Sequence, residues 1–143
     1  MPKNAAPRSL RLPQSLSRAI EIEARRTGRS FSAVATEMLE EASRTRKFRH
    51  IVFRGPPGRR RAAVVGSGLD VWEVVRDYRA LDQSRKRLGR RLHWVSREAV
   101  DEALAYAGVY AEEIDERLAR EAHWTEPAIR EALPWSSPDK TPG

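Results

Sequence analysis

Apolar positions change their period once within the first fifty residues. Leu10 and Leu12 alternate with Ser9 and Arg11, a period of two that gives a strand one apolar and one polar face. Pro13 ends that ladder and opens a helix, where its missing N–H costs nothing. From Gln14 to Thr27 the spacing becomes helical, with Leu16, Ala19, Ile20 and Ala24 on one stripe and Arg18, Glu21 and Arg25 off it. Gly28 is the expected C-cap, and Ser30 the N-cap of a second helix reaching about Thr45. Val34, Ala35, Met38, Leu39 and Ala42 form its expected buried stripe.

A lone strand with one apolar face has no ladder partner, and two short helices cannot cover it. Leu10, Leu12, Leu16, Ile20, Val34, Met38 and Leu39 are therefore read as a core shared between two copies. Dimerisation follows from the pattern itself.

Beyond a basic hinge at 46–49, His50 to Arg54 reads as a strand, Gly55-Pro56-Pro57-Gly58 as a turn and Arg61 to Val65 as the returning strand. Asp70 caps a helix with the stripe Val71, Val74, Val75 and Tyr78, flanked by Trp72. A short helix near 84–92, another from Ser96 to about Ala107, and a last one at 110–122 holding Ile114 and Leu118 complete the pattern. The resulting organisation is a flexible arm at 1–7, a first unit at 8–45, the hinge at 46–49, a second unit at 50–122 and a Trp- and Pro-containing tail at 123–143. The expected fold class is mainly α, with a two-stranded antiparallel ribbon made by the dimer and a C-terminal β-hairpin plus helix-turn-helix-like trihelical domain.

Charge sharpens this outline. The chain has 143 residues and a net charge of +7, distributed as +6 over 1–50, +7 over 51–91 and −6 over 92–143. Two basic thirds are the electrostatic footprint of a nucleic-acid binder. Cysteine is absent, which removes disulfides, thiolate metal sites and Cys nucleophiles, and His50, His93 and His123 stand too far apart for a zinc tetrad. No metal and no cofactor is expected. There is no His–carboxylate spacing of a metal site and no Gly-rich loop before Lys-Ser/Thr, while Gly55-Pro56-Pro57-Gly58 is too stiff to cradle phosphates, so no enzyme and no catalytic residue is expected. No apolar run approaches the ~18 residues of a membrane span. No apolar stretch follows Met1-Pro2-Lys3-Asn4, so secretion is not expected either. A cytoplasmic, nucleoid-associated bacterial protein is the expectation.

The run Arg8-Ser9-Leu10-Arg11-Leu12-Pro13, the short first helix, and Thr27-Gly28-Arg29-Ser30-Phe31-Ser32 opening the second together resemble a ribbon-helix-helix DNA-binding domain of the VapB-like antitoxin and repressor kind, from Arg8 to Arg44 without a gap. The resemblance implies that two chains pair their strands into a ribbon that enters the major groove of double-stranded DNA. With Leu10 and Leu12 turned into the dimer core, Ser9 and Arg11 face the bases, and Arg11 has the chemistry for a bidentate guanine contact. Where the family has a third polar reader this chain has Pro7, which cannot donate, and the direct code shrinks accordingly. Arg8 and Lys3 are expected to help the ribbon by reaching phosphates, and Ser30, Phe31 and Ser32, at the positive end of the second helix, suit a further backbone phosphate beside Arg29.

Residues 50–121 resemble the domain-of-unknown-function 433 family, through Asp70-Val71-Trp72-Glu73-Val74-Val75, Ala103-Leu104-Ala105-Tyr106-Ala107 and Tyr110-Ala111-Glu112-Glu113-Ile114. That likeness implies a hairpin before a helix-turn-helix fold, as in antitoxins encoded beside PIN-like toxins. The would-be recognition helix starts with Glu98, Asp101 and Glu102 beside one Arg97, which argues against base reading and for contact with a protein. Basic residues gather instead on the preceding helix, at Arg85, Lys86, Arg87, Arg90 and Arg91. In the tail, Trp124, Ile129, Leu133 and Trp135 are candidate partner anchors. The combined expectation is an antitoxin that represses its own operator and neutralises a PIN-like ribonuclease. It would act as a homodimer, or as a tetramer if the second unit adds its own contact. The alternative is a partition adaptor that links centromere DNA to a motor ATPase, disfavoured by the short arm before the strand.

Overall fold

The computed structural model describes residues 6–123 and residue 131. The chain is mainly helical with a small two-stranded antiparallel sheet. In order these are α1 (Gln14–Thr27), α2 (Phe31–Lys47), β1 (Ile51–Arg54), β2 (Arg61–Val64), α3 (Val71–Ala80), α4 (Arg85–Arg91), α5 (Arg97–Val109) and α6 (Ala111–His123).

Local chemistry explains most of the boundaries. Gly28 ends α1 in the left-handed region at φ 66°, donating its N–H back to the last turn. Ser30, Ser84 and Ser96 cap α2, α4 and α5 by accepting from the amides of Ala33, Arg87 and Ala99. Asp70 and Glu73 close a reciprocal capping box at the start of α3. In the hairpin, Ile51 pairs with Val64 and Arg54 with Arg61. Gly55 turns the chain at φ 108°, and a Cβ there would lie 2.8 Å from the Arg59 carbonyl oxygen, so no other residue fits.

Two apolar clusters of unequal size result. The larger joins Phe48, Ile51, Val64, Val71, Val74, Leu88, Leu92, Val100, Ala103, Tyr106 and Ile114, drawn from the end of α2, the hairpin and the α3 to α6 region. The smaller, between α1 and α2, holds Ile20, Ala24 and Val34, with Leu12 and Ala35 against them. Three small-to-medium side chains bury little area for more than thirty residues of chain.

Several expectations need correction. Residues 46–49 are not a hinge: α2 runs on through Lys47, and Phe48 is buried in the larger core at 6 % exposure. The α2 stripe is buried at Val34 alone, while Met38, Leu39 and Ala42 are exposed in the single chain. On α3, Asp77 is buried beside the valines and Tyr78 is only partly covered. No strand forms at Arg8–Pro13 within one copy; this segment lies outside any ladder, with Leu10 68 % exposed.

Candidate nucleic-acid interface

The first unit presents its expected base-facing residues to solvent. Arg8, Ser9 and Arg11 are exposed on a segment outside any helix or strand, and Leu12 leans on the Ile20–Ala24–Val34 cluster. Pro13, at φ −53° and ψ 144°, then turns the chain into α1, and its carbonyl accepts from the Ser17 amide at 3.0 Å. Of the seven residues expected to form a dimer core, Ile20 and Val34 are already buried within the chain's own helical hairpin. Leu12 is half-buried, and Leu10, Leu16, Met38 and Leu39 are exposed.

At the start of α2, Ser30 Oγ accepts from the Ala33 amide at 3.0 Å, which fixes the helix end. The exposed residues Phe31 and Ser32 carry first-turn amides that the helix does not use internally. Arg29 does not join them. Its guanidinium lies back along α2 and donates to Glu37 Oε1 at 2.9 Å, while Glu37 Oε2 accepts from the Gly58 amide at 3.0 Å. Glu37 thus ties the hairpin turn to α2, and Arg29 is paired within the chain. Trp124, Ile129, Leu133 and Trp135 lie outside the described residues.

Long-range contacts that the sequence did not reveal bind the two units along α2. Arg44 donates to the Tyr106 hydroxyl at 2.9 Å and to Glu113 at 3.0 Å, with its guanidinium 4.0 Å from the centre of the Tyr110 ring. The Tyr106 hydroxyl in turn donates to Glu113 at 2.9 Å. Arg60, just before β2, pairs with Glu41 at 2.6 Å. Partners 19 to 69 residues apart leave no local signal.

Two buried aspartates each hold two arginines. Asp70 accepts from Arg54 at 2.9 Å, from Arg61 at 2.8 Å and from the Trp72 indole at 3.2 Å. Burial works to raise its pKa, but the hydrogen bonds from Arg61 and Arg54 prevail and hold it below the ordinary carboxyl value. Asp77 accepts from Arg76 and from Arg91, each at 3.1 Å.

The carboxylates of α5 are also engaged. Asp101 pairs with Arg85, and Glu102 accepts from the His50 amide at 3.2 Å and meets the His50 ring. Glu98, at the start of the same helix, has no ion pair among the described residues. An open depression of about 560 Å³ lies between the hairpin turn, Trp72 and α6, lined in part by Arg59, Arg60, Arg61, Arg117 and Arg120. Four of those five arginines are paired, with Glu41, Asp70, Glu121 and Glu116 respectively.

No helix among the described residues is long and apolar enough to cross a membrane. Comparisons with protein-family models, with curated proteins and with solved structures return no match.

Proposed function

We propose that this chain is a sequence-specific DNA-binding repressor of the antitoxin type, working as a homodimer on the operator of its own gene. The observation that supports the reading is the unfinished first unit. One copy buries Ile20, Ala24 and Val34 there, and leaves Leu10, Leu16, Met38 and Leu39 exposed, with the 8–13 segment outside any ladder. Full burial of one such side chain gives about 1.5–3 kcal/mol, so a second copy covering several per chain supplies the missing core. Strand pairing across that copy turns Ser9 and Arg11 outward together, as a ribbon in the major groove requires. Ser30, Phe31 and Ser32 then offer an N-terminal helix end to the flanking phosphate. The C-terminal part is assigned to a protein partner, a PIN-like ribonuclease, on the strength of the apolar and aromatic positions Trp124, Ile129, Leu133 and Trp135 in the acidic last third.

Fluorescence anisotropy on the DNA upstream of its own gene, beside a shuffled duplex, tests the ribbon. Arg11→Ala is expected to lose about 1–3 kcal/mol on the upstream DNA and little on the shuffled one. Equal binding of both duplexes by wild type and variant refutes the reading.

A further inference from the structure

The strongest concentration of positive charge among the described residues lies outside the ribbon unit, on α4. Its seven residues, Arg-Lys-Arg-Leu-Gly-Arg-Arg, include five cations and no anion. Nothing about helix stability calls for this. Lys86 and Arg90, like Arg87 and Arg91, are like-charged neighbours one turn apart, which opposes the helix, and Gly89 weakens it further. The element holds because Ser84 caps it and because Leu88 and Leu92 are buried in the large core.

That anchoring fixes which way the charges face. At 100° per residue, Leu88 and Leu92 define the inner side, and Lys86, Arg87 and Arg90 fall opposite them. All three are exposed. Arg85, Arg87 and Arg91 spend their charge on Asp101, Asp82 and Asp77. Lys86 and Arg90 have no ion pair among the described residues and remain as two free cations one turn apart.

The objection raised by the sequence was the acidic start of α5, and the structure removes part of it. Asp101 is paired with Arg85, and Glu102 faces the amide and ring of His50. The depression beside Trp72 is a poorer anion site, because its arginines are mostly paired.

We infer that the outer face of α4, through Lys86 and Arg90, is a second nucleic-acid contact that grips the phosphodiester backbone of duplex DNA without reading bases. The backbone is favoured because two exposed cations one turn apart, on a short helix whose other face is buried, can each neutralise a phosphate. The face carries no acceptor side chain for the remaining base edges. The inference rests on the chain being a DNA-binding protein, but not on the ribbon assignment.

The full-length double variant Lys86→Gln/Arg90→Gln tests it, measured by anisotropy across a salt series on the upstream and shuffled duplexes, with Lys86→Arg/Arg90→Lys as the charge-preserving control. Each lost phosphate contact flattens the plot of log K against log salt by about 0.9. The neutralised variant is therefore expected to show a slope shallower by about 1.8 for each chain bound on both duplexes, with the ratio between them unchanged and the control like wild type. Both positions are exposed, and a circular-dichroism melt superimposing on wild type confirms that the fold is intact. Slopes that superimpose on wild type overturn the inference, and are what a surface for an acidic protein would give. A flattened slope with no loss of discrimination in Arg11→Ala leaves α4 standing and removes the ribbon reading. The reverse pattern does the opposite.

Discussion

Asp70 shows how one side chain is asked to do three things. It caps α3, it neutralises Arg54 and Arg61 across the two strands of the hairpin, and it accepts from the Trp72 indole, all at 5 % exposure. Burying a carboxylate is costly unless its oxygens are occupied, and here both are. Asp70→Asn keeps the shape but leaves two guanidiniums facing a neutral amide. The expected loss is about 1–3 kcal/mol in urea denaturation at neutral pH, held to that range because both arginines are part-exposed. The sign of the pH dependence follows from the direction of the shift. A carboxyl whose pKa is lowered on folding adds stability above its unfolded value, near 3.8, and loses it as pH falls towards the folded value. Wild type should therefore lose its advantage over Asp70→Asn below about pH 4. An advantage that persists to lower pH would show that Asp70 acts by packing and not by charge.

At the scale of elements, caps and turns decide where the chain bends, and those are written locally. Gly28, Ser30, Ser84, Ser96 and the Asp70–Glu73 box all lie where the sequence pattern placed helix ends. Gly28→Ala should cost about 1–2 kcal/mol in thermal unfolding, since nothing within 4 Å crowds a new methyl and only the left-handed backbone resists it. What stayed hidden depends on distant partners. The continuation of α2 through Arg46 and Lys47 could not be foreseen, because the residue that justifies it, Phe48, packs against Tyr106 and Tyr110, nearly sixty residues on. The fate of Arg29 was equally hidden. A basic residue before an N-cap reads as a phosphate ligand, and the sequence does not show that it pairs with Glu37 where the hairpin turn arrives. Met38 and Leu39 have apolar chemistry and correct spacing, yet helical periodicity does not say whether the covering surface comes from the same chain.

The whole molecule is organised around α2, which belongs to both units. Its first half packs on α1 through Val34 and Ala35, and from Glu37 onward it carries the contacts to the hairpin and α6 at Glu37, Glu41 and Arg44. A helix of 17 residues joins the two cores where a loop would have let them tumble. The joint therefore has a phase as well as a length. One alanine inserted after Thr36 would rotate the α1 side by about 100° against the hairpin, whereas seven would return it to within about 20° and displace it by about 10 Å. Energy transfer between dyes on α1 and α6 should register the first as a change of bearing and the second as a pure extension, with both melting near wild type. If the two insertions give the same distance, the shaft is not rigid. Rotation of one unit would then not be geared to the other, and whatever grips the second could not set the angle at which the first meets its target.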